Sequence, residues 1–339
     1  MLKLRRGTVV SCDPLEVEIA GRRRPAWADR SLVGETRVGD EVIVNTEAVD
    51  LGLGSGGQDI VHVNLTRGLQ GAGHEGGAHV MKLNYTSLQH PVEPAEPPLA
   101  DGDAAAQLRP ERPIPVLVGS LHGQLAPAVW AFHQHVPGKR LGFVQGLGGA
   151  LGAHRSETVR RLRDEGLLSE TLTAGPCHGG DAEAISLAGA LRAACDRGWD
   201  AAVVCPGPGI LGSGTALGHG GMAALDAAHA ALALGLPAIF MPRASTSDPR
   251  PRHRGLSHHA AAVLDLVLAP LTVAVPADDD ELAAESVLDR HRIERRAADL
   301  DAYVGSGLPS TTMGRDAAQD PRFFAVALAG GAALAAAAG

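Results

Sequence analysis

The chain has 339 residues, 45% apolar and 20% charged, the balance of an ordinary globular protein long enough for two or three domains. Its formal net charge of −8 argues against the basic face that a nucleic-acid binder needs. The four cysteines (Cys12, Cys177, Cys195 and Cys205) form no CxxC pair, and Met1-Leu-Lys-Leu-Arg-Arg6 runs straight into a strand pattern without an apolar leader. The expectation is a cytoplasmic protein with no membrane and no nucleic acid among its partners.

Residues 1–90 read as a small β-rich, barrel-like domain. Gly7–Val10 and Leu15–Ile19 alternate apolar and polar residues around the turn signal Asp13-Pro14, a basic patch follows at Arg22–Arg24, and Val38–Val44 and Ile60–Leu65 read as further strands. The glycine-rich stretch Asn45–Gly57 is either a set of tight turns or a loop that approaches a cleft. Residues 91–113 are rich in proline and acids with no apolar periodicity, the composition of a linker.

From residue 114 to 277 strands and helices alternate. Strands are expected at 115–120, 140–145, 171–173, 201–205, 237–241 and 271–275. Helices are expected at 124–136, 156–165, 182–196, 219–234 and 258–268. This order implies right-handed crossovers and an α/β, Rossmann-like fold, a mainly parallel sheet with helices on both faces. Residues 278–339 read as a helical C-terminal segment, helical to about Asp301 and ending in the Ala-rich tail 325–338. That tail is too short to span a bilayer and is expected to pack on the body or on a partner chain, which makes a homo-oligomer an expectation.

A parallel sheet of this kind binds ligands at the carboxyl ends of its strands. Three glycine-rich loops stand there: Gly146–Gly152, Gly175–Asp181 and Gly207–Thr215. Glycine lets backbone N–H groups approach a ligand, and a following helix N-terminus favours an anion. The third loop matches GxGxxG through Gly207, Gly209 and Gly212, with Gly214 and Thr215 beyond. Arg243 stands after the next strand, where an acidic residue would be usual, and would suit a 2′-phosphate, so NADP-type binding is a lesser alternative. Pro208 and further glycines at 214, 218, 220 and 221 delay the helix. In the second loop Gly179 and Gly180 precede Asp181, which either caps the helix 182–196 or faces a ligand. Cys177 and His178 line that loop or supply an activated thiol.

The segment 243–259 is the densest in chemistry. Arg243, Arg250, Arg252 and Arg254 can hold a carboxylate or phosphate bidentately, with Asp248 and His253 among them. Ser257 is a natural N-cap, which puts His258 and His259 in the first helical turn as candidates for proton transfer, with Asp181 orienting a group or a water. His178, Asp181, His253, His258 and His259 are metal-ligating types, but no pair has HxxxH spacing and no cysteine cluster joins them. The reading assigns no metal and leaves the cofactor unknown.

Several of these segments together resemble a bacterial family known as domain of unknown function 3866. The resemblance rests on Val44–Thr46 through Gly54–Gly57, Met81–Thr86, Gly179–Ala184, Gly207–Thr215, Asp248–Arg250 with Arg252–His259, and Thr312–Arg315. It covers nearly the whole chain and implies organisation without an activity. A fainter similarity, over about residues 170–241, runs to the B-type subunits of glycine, betaine and proline reductases. The leading expectation is an enzyme or enzyme-like protein that binds a small anionic metabolite. The alternative is a non-catalytic metabolite-binding or regulatory module, or a scaffold subunit.

Overall fold

The computed structural model describes residues 1–339 apart from 71–77, 79, 97–107 and 147–151. The described chain forms two units, Met1–Glu93 and Pro94–Gly339.

In the first unit β1 (Leu4–Cys12), β2 (Leu15–Ile19), β3 (Arg22–Trp27), the short helix α1 (Arg30–Val33), β4 (Glu41–Asn45), the single-turn helix α2 (Glu47–Asp50) and β5 (Asp59–Asn64) follow in order. The strands close into a barrel, β1-β2-β3-β5-β4, antiparallel except where β3 runs parallel to β5. Period-two alternation drives closure: in β4 Val42 and Val44 point inward while Glu41 points to solvent. Val9, Val17, Ile19, Ala26 and Val61 complete the core. β3 was not expected as a strand, because its outward arginines mask the alternation that leaves Ala26 inside. A hairpin of β6 (Val80–Lys82) and β7 (His90–Val92) ends the unit.

The second unit opens its regular structure with β8 (Val116–Gly119), α3 (Leu125–His135), β9 (Leu141–Gly146), α4 (Glu157–Asp164), β10 (Glu170–Ala174), β11 (Ala182–Ala184), α5 (Leu187–Asp196) and β12 (Ala201–Pro206). It continues through α6 (Ala223–Ala233), β13 (Ala238–Met241), a two-residue ladder of β14 (Ala244–Ser245) with β15 (Gly255–Leu256), α7 (His258–Leu266) and β16 (Thr272–Pro276). Last come α8 (Asp280–Ala283), β17 (Arg292–Arg296), α9 (Leu300–Gly305), the small hairpin β18 (Thr311–Thr312) and β19 (Arg315–Asp316), and α10 (Pro321–Ala338). Eight strands make one parallel sheet in the order β11-β10-β9-β12-β8-β13-β16-β17. Its central strands are apolar on both sides, as a sheet covered by helices requires. Val116 and Val118 pack toward α5, α6 and α7, and Leu117 toward α3 and α10.

The topology opens a crevice at one place on the sheet's carboxyl edge. The crossover from β8 runs through α3 to β9, and the crossover from its neighbour β12 runs through α6 to β13, on the other side of β8. Adjacent strands whose connections leave in opposite directions open a crevice at their carboxyl ends.

Three local expectations are corrected. The helix foreseen at 182–196 begins only at Leu187. Ala182–Ala184 pairs with β10 as a strand, and the cap is Ser186, whose side chain accepts from Gly189 N, rather than Asp181. The helix foreseen from 219 begins at Ala223 because residues 211–220 fold into a hairpin closed by Ser213 N to Gly218 O (2.7 Å) and Gly220 N to Leu211 O (2.8 Å). Within the segment expected to be helical to about Asp301, Arg292–Arg296 is the eighth strand. A charged sheet edge carries no apolar alternation and is protected from further pairing by that charge.

The apolar tail is a core element. α10 is the one described helix long and apolar enough to cross a membrane, and two-thirds of it is buried within the fold. It lies so close to α3 that a Cβ on Gly331 would stand 2.0 Å from the carbonyl oxygen of Ala128.

Candidate functional site

A cavity of about 720 Å³ opens at the carboxyl ends of β8, β12 and β13. Its walls come from Leu121–Gly123 after β8, from Gly207–Gly212 and Gly214 after β12, and from Arg243, Pro249, Arg250, Arg252 and His253 after β13. The start of α4 adds Thr158, the start of α7 adds His258 and His259, and the β18–β19 hairpin adds Thr311–Met313 and Arg315. The buried Gln124 ties two of these walls together. Its Oε1 accepts from Ser120 N and Leu121 N (3.1 Å each), and its Nε2 donates to the carbonyls of Met241 (3.2 Å) and Pro242 (3.1 Å).

Asp248 organises the basic side of the cavity. It has no solvent exposure and accepts from Arg243 Nη2 (3.0 Å), Arg250 Nη2 and Nε (2.9 Å each) and Arg315 Nη2 (3.3 Å). Arg315 also donates through Nε to Asp320 (3.1 Å), itself held by Ser245 Oγ (2.6 Å) and Thr246 N (3.0 Å). Arg252 lines the cavity with no ion-pair partner among the described residues. Four guanidiniums (Arg243, Arg250, Arg252 and Arg315) thus answer to two carboxylates, leaving two positive charges uncompensated. Burial pushes the Asp248 carboxyl up, but the hydrogen bonds and charge of Arg250, with the charge of Arg243, outweigh it and hold the group well below the ordinary range. Burial lowers Arg243 to about 10, against the pull of Asp248, so it stays protonated. Its Nε, in a side chain only 2% exposed, has no hydrogen-bond partner.

Beside the arginines lies a group of imidazoles. Ser257 caps α7 by accepting from His259 N, and its Oγ lies 2.7 Å from His253 Nδ1. His219, at the end of the 211–220 hairpin, stacks on His259 with ring centroids 3.6 Å apart and planes 9° apart. His258 lies 4.3 Å from His259 and 4.8 Å from His253, centroid to centroid. Burial, then neighbouring charge, lowers His253 to about 3 and His259 to about 2. His258 is lowered by burial and by His219, and His219 by burial against a bond to the Ala216 carbonyl. His122, lowered to about 4 by burial, lines the cavity after β8 with its Nε2 2.7 Å from Ser156 Oγ. These rings are neutral at neutral pH, so they offer lone pairs and N–H donors rather than positive charge.

The residues proposed from sequence therefore separate into groups. Gly207, Gly209, Gly212, Gly214, Arg243, Arg250, Arg252, His253, His258 and His259 line one cavity. Asp248 and Ser257 stand behind it as supports. Thr215 works within the hairpin, its hydroxyl accepting from Gly218 N (3.0 Å), and Arg254 turns away to donate through Nε to the Asp248 carbonyl (3.0 Å). Gly179, Gly180 and Asp181 line a separate hollow of about 260 Å³ with His154 and Arg163. There Asp181 accepts from Arg163 Nη1 (2.6 Å) and Thr171 N (2.7 Å), so it does not assist His258 or His259. Cys177 is buried and its thiol donates to the Gly146 carbonyl (2.7 Å), the place of a structural donor rather than of an exposed nucleophile. Within the first glycine loop, residues 147–151 lie outside the described residues. His219, His122, Gln124 and Arg315 were missed. They are isolated in sequence, and only Arg315 fell in a segment already singled out.

The GxGxxG match does not make a dinucleotide turn. That motif needs a helix opening at its last glycine, to set its N-terminus against the pyrophosphate. Here Gly212 enters the hairpin and pairs with His219 instead.

The chain matches no curated protein and no solved structure. Residues 25–331 match the model of one family, described as protein of unknown function (DUF3866), and the chain belongs to that family.

Proposed function

We propose that this protein is an enzyme or enzyme-like protein whose switch-point cavity binds a small metabolite through a carboxylate or phosphate group. The observation that carries the reading is Arg243, a buried guanidinium lining the cavity whose Nε–H meets no acceptor in the protein. A buried donor left unpaired costs about 1–3 kcal/mol, and more when charged, which an anion accepting from it would recover. The two uncompensated positive charges and the exposed Arg252 support the same ligand class. The glycine-rich loop 207–214 leaves backbone open to the cavity. A bound anion would also offset the arginine charge around His258 and His259, rings that burial, first of all, holds neutral. The reading keeps the protein in the cytoplasm, with no membrane or nucleic acid as partner and with self-association expected.

A thermal-shift panel of inorganic phosphate, sulfate, small carboxylates, sugar phosphates, nucleotides and NADP tests it. A ligand at about a hundred times its Kd adds about 2.7 kcal/mol of stability. The expected result is a shift with one anionic class that is lost in Arg252→Ala. A flat panel overturns the proposal.

A further inference from the structure

We infer that His219, His258 and His259 form a binding site for a divalent transition-metal ion of the zinc class, set in the wall of the cavity and open to it. One ligating nitrogen from each of the three rings lies within 4.8 Å of the others. Two ring nitrogens in the group, Nδ1 of His219 and Nε2 of His258, are buried and have no hydrogen-bond partner. Each is a polar atom taken out of water with nothing in return.

The protonation of His219 is fixed from outside the cluster. Its Nε2 lies 3.1 Å from the carbonyl oxygen of Ala216, so that nitrogen carries the hydrogen and Nδ1 presents its lone pair. A backbone carbonyl holding the far nitrogen is the usual support of a metal-ligating histidine. An added proton on the cluster is a poor substitute, since it would create an imidazolium beside Arg243, whose Nη1 is 3.4 Å from His259 Nδ1.

The donor set selects the metal. Three imidazoles with no carboxylate suit zinc, cobalt, nickel or copper and exclude magnesium and calcium, which require oxygen ligands. Three protein ligands leave a further coordination position, here toward the cavity that His258 and His259 line. The His219 and His259 rings are stacked, and the in-plane lone pairs of parallel rings do not converge, so metal entry turns one ring out of the stack. Gly221 leaves space beside both: a Cβ there would lie 3.0 Å from His219 Nδ1 and 3.5 Å from His259 Nδ1.

The nearby arginines disfavour a bare cation, and an anion in the cavity would offset both charges. That coupling rests on the proposed function above, whereas the metal site itself rests on the three histidines.

The test uses tag-free, full-length protein stripped with a chelator and titrated with Co²⁺ in buffer free of phosphate and carboxylates. The expected result is one Co²⁺ per chain, with the visible absorption of a four- or five-coordinate ion and displacement by Zn²⁺. His219→Ala and His258→Ala should each weaken Co²⁺ at least about tenfold. Gly221→Ala keeps all three rings and should weaken it too. No Co²⁺ binding by the wild-type protein, or unchanged affinity in the folded variants, overturns the site. If the histidine variants fail to fold, wild-type binding and Gly221→Ala decide. Inorganic phosphate is then added. A change in the cobalt spectrum supports the coupling. Cobalt binding unaffected by phosphate leaves the metal site standing and removes the coupling. Phosphate binding without cobalt binding overturns the metal site alone.

Discussion

Arg243 and Asp248 face each other at 3.0 Å, Nη2 to Oδ2, with 2% and 0% of their side chains exposed. Removing the carboxylate strands a buried guanidinium, releases Arg250 and leaves Arg315 with Asp320 alone. Asp248→Ala is therefore expected to cost about 3–5 kcal/mol in a urea titration. Arg250→Ala, which removes a half-exposed partner and leaves Asp248 paired twice over, should cost clearly less. Equal stabilities for the two variants would count against Asp248 as the centre of the network.

Arg252 and Arg254 are near neighbours in sequence with different positions. Arg252 lines the cavity, and Arg254 donates to the Asp248 carbonyl outside it. Once an anionic ligand is known, Arg252→Ala should weaken it about tenfold or more by calorimetry, while the melting temperature barely moves. Arg254→Ala should leave the affinity within a factor of about three.

Ser186 and Asp181 test which residue begins α5. Ser186→Ala removes the side-chain cap on Gly189 N and should cost about 1 kcal/mol. Asp181→Asn keeps an acceptor for Thr171 N and removes only the charge of the partly exposed pair with Arg163, so the loss should be smaller, below about 1 kcal/mol. Chemical denaturation of the two variants side by side gives the ranking.

Gly331 meets α3 where no side chain fits. Alanine would raise helix propensity by about 1 kcal/mol, but its Cβ would enter the Ala128 carbonyl, a backbone atom that cannot step aside. The clash should win, with Gly331→Ala destabilising by about 1–3 kcal/mol. A thermal melt showing stabilisation would mean that α10 and α3 are further apart.

Acid should weaken the protein earlier than its carboxylates alone would. Burial lowers His122 to about 4 and also lowers His133 and His291, each against a hydrogen bond that raises it or, for His291, also with the charge of Arg290. The unfolded chain protonates these rings near pH 6.5, while the native protein leaves them neutral. For His122 the unfolded state thus binds more protons between about pH 6.5 and 4, and stability falls as pH falls by up to about 1.4 kcal/mol per pH unit, with His133 and His291 acting in the same direction below about pH 6.5. Above about pH 6.5 the contribution is constant. His122→Asn should reduce the slope of unfolding free energy against pH by up to about one proton.

The parts of the fold legible in sequence were those written in local periodicity. Val116–Val118 and Ala201–Cys205 read as buried strands because central parallel strands are apolar on both faces. The barrel valines read through their alternation. Arg292–Arg296 did not, because an edge strand of arginines shows neither pattern. At the site, the dense run 243–259 announced itself through composition. His219 did not, because its only local signal is one imidazole in a glycine-rich stretch, and its meaning comes from stacking on His259 across a fold-level distance. Asp181 misled for the opposite reason: a carboxylate after two glycines looks like a ligand contact or a helix cap, and which one it is depends on where Arg163 and Ser186 lie.

The cavity's walls are drawn from five stretches of chain, spread from Leu121 to Arg315 on both sides of the sheet's reversal point. Any contiguous fragment that contains them all must run from residue 121 to 315, most of the second unit. A molecule gripped by all of them would add a further cross-link to those that Gln124, Arg315 and the stacked His219 and His259 already make between these stretches. Its binding energy would then oppose global opening rather than the fraying of any one loop, and it should appear as slowed amide exchange in the central strands β8 and β12 as well as at the rim.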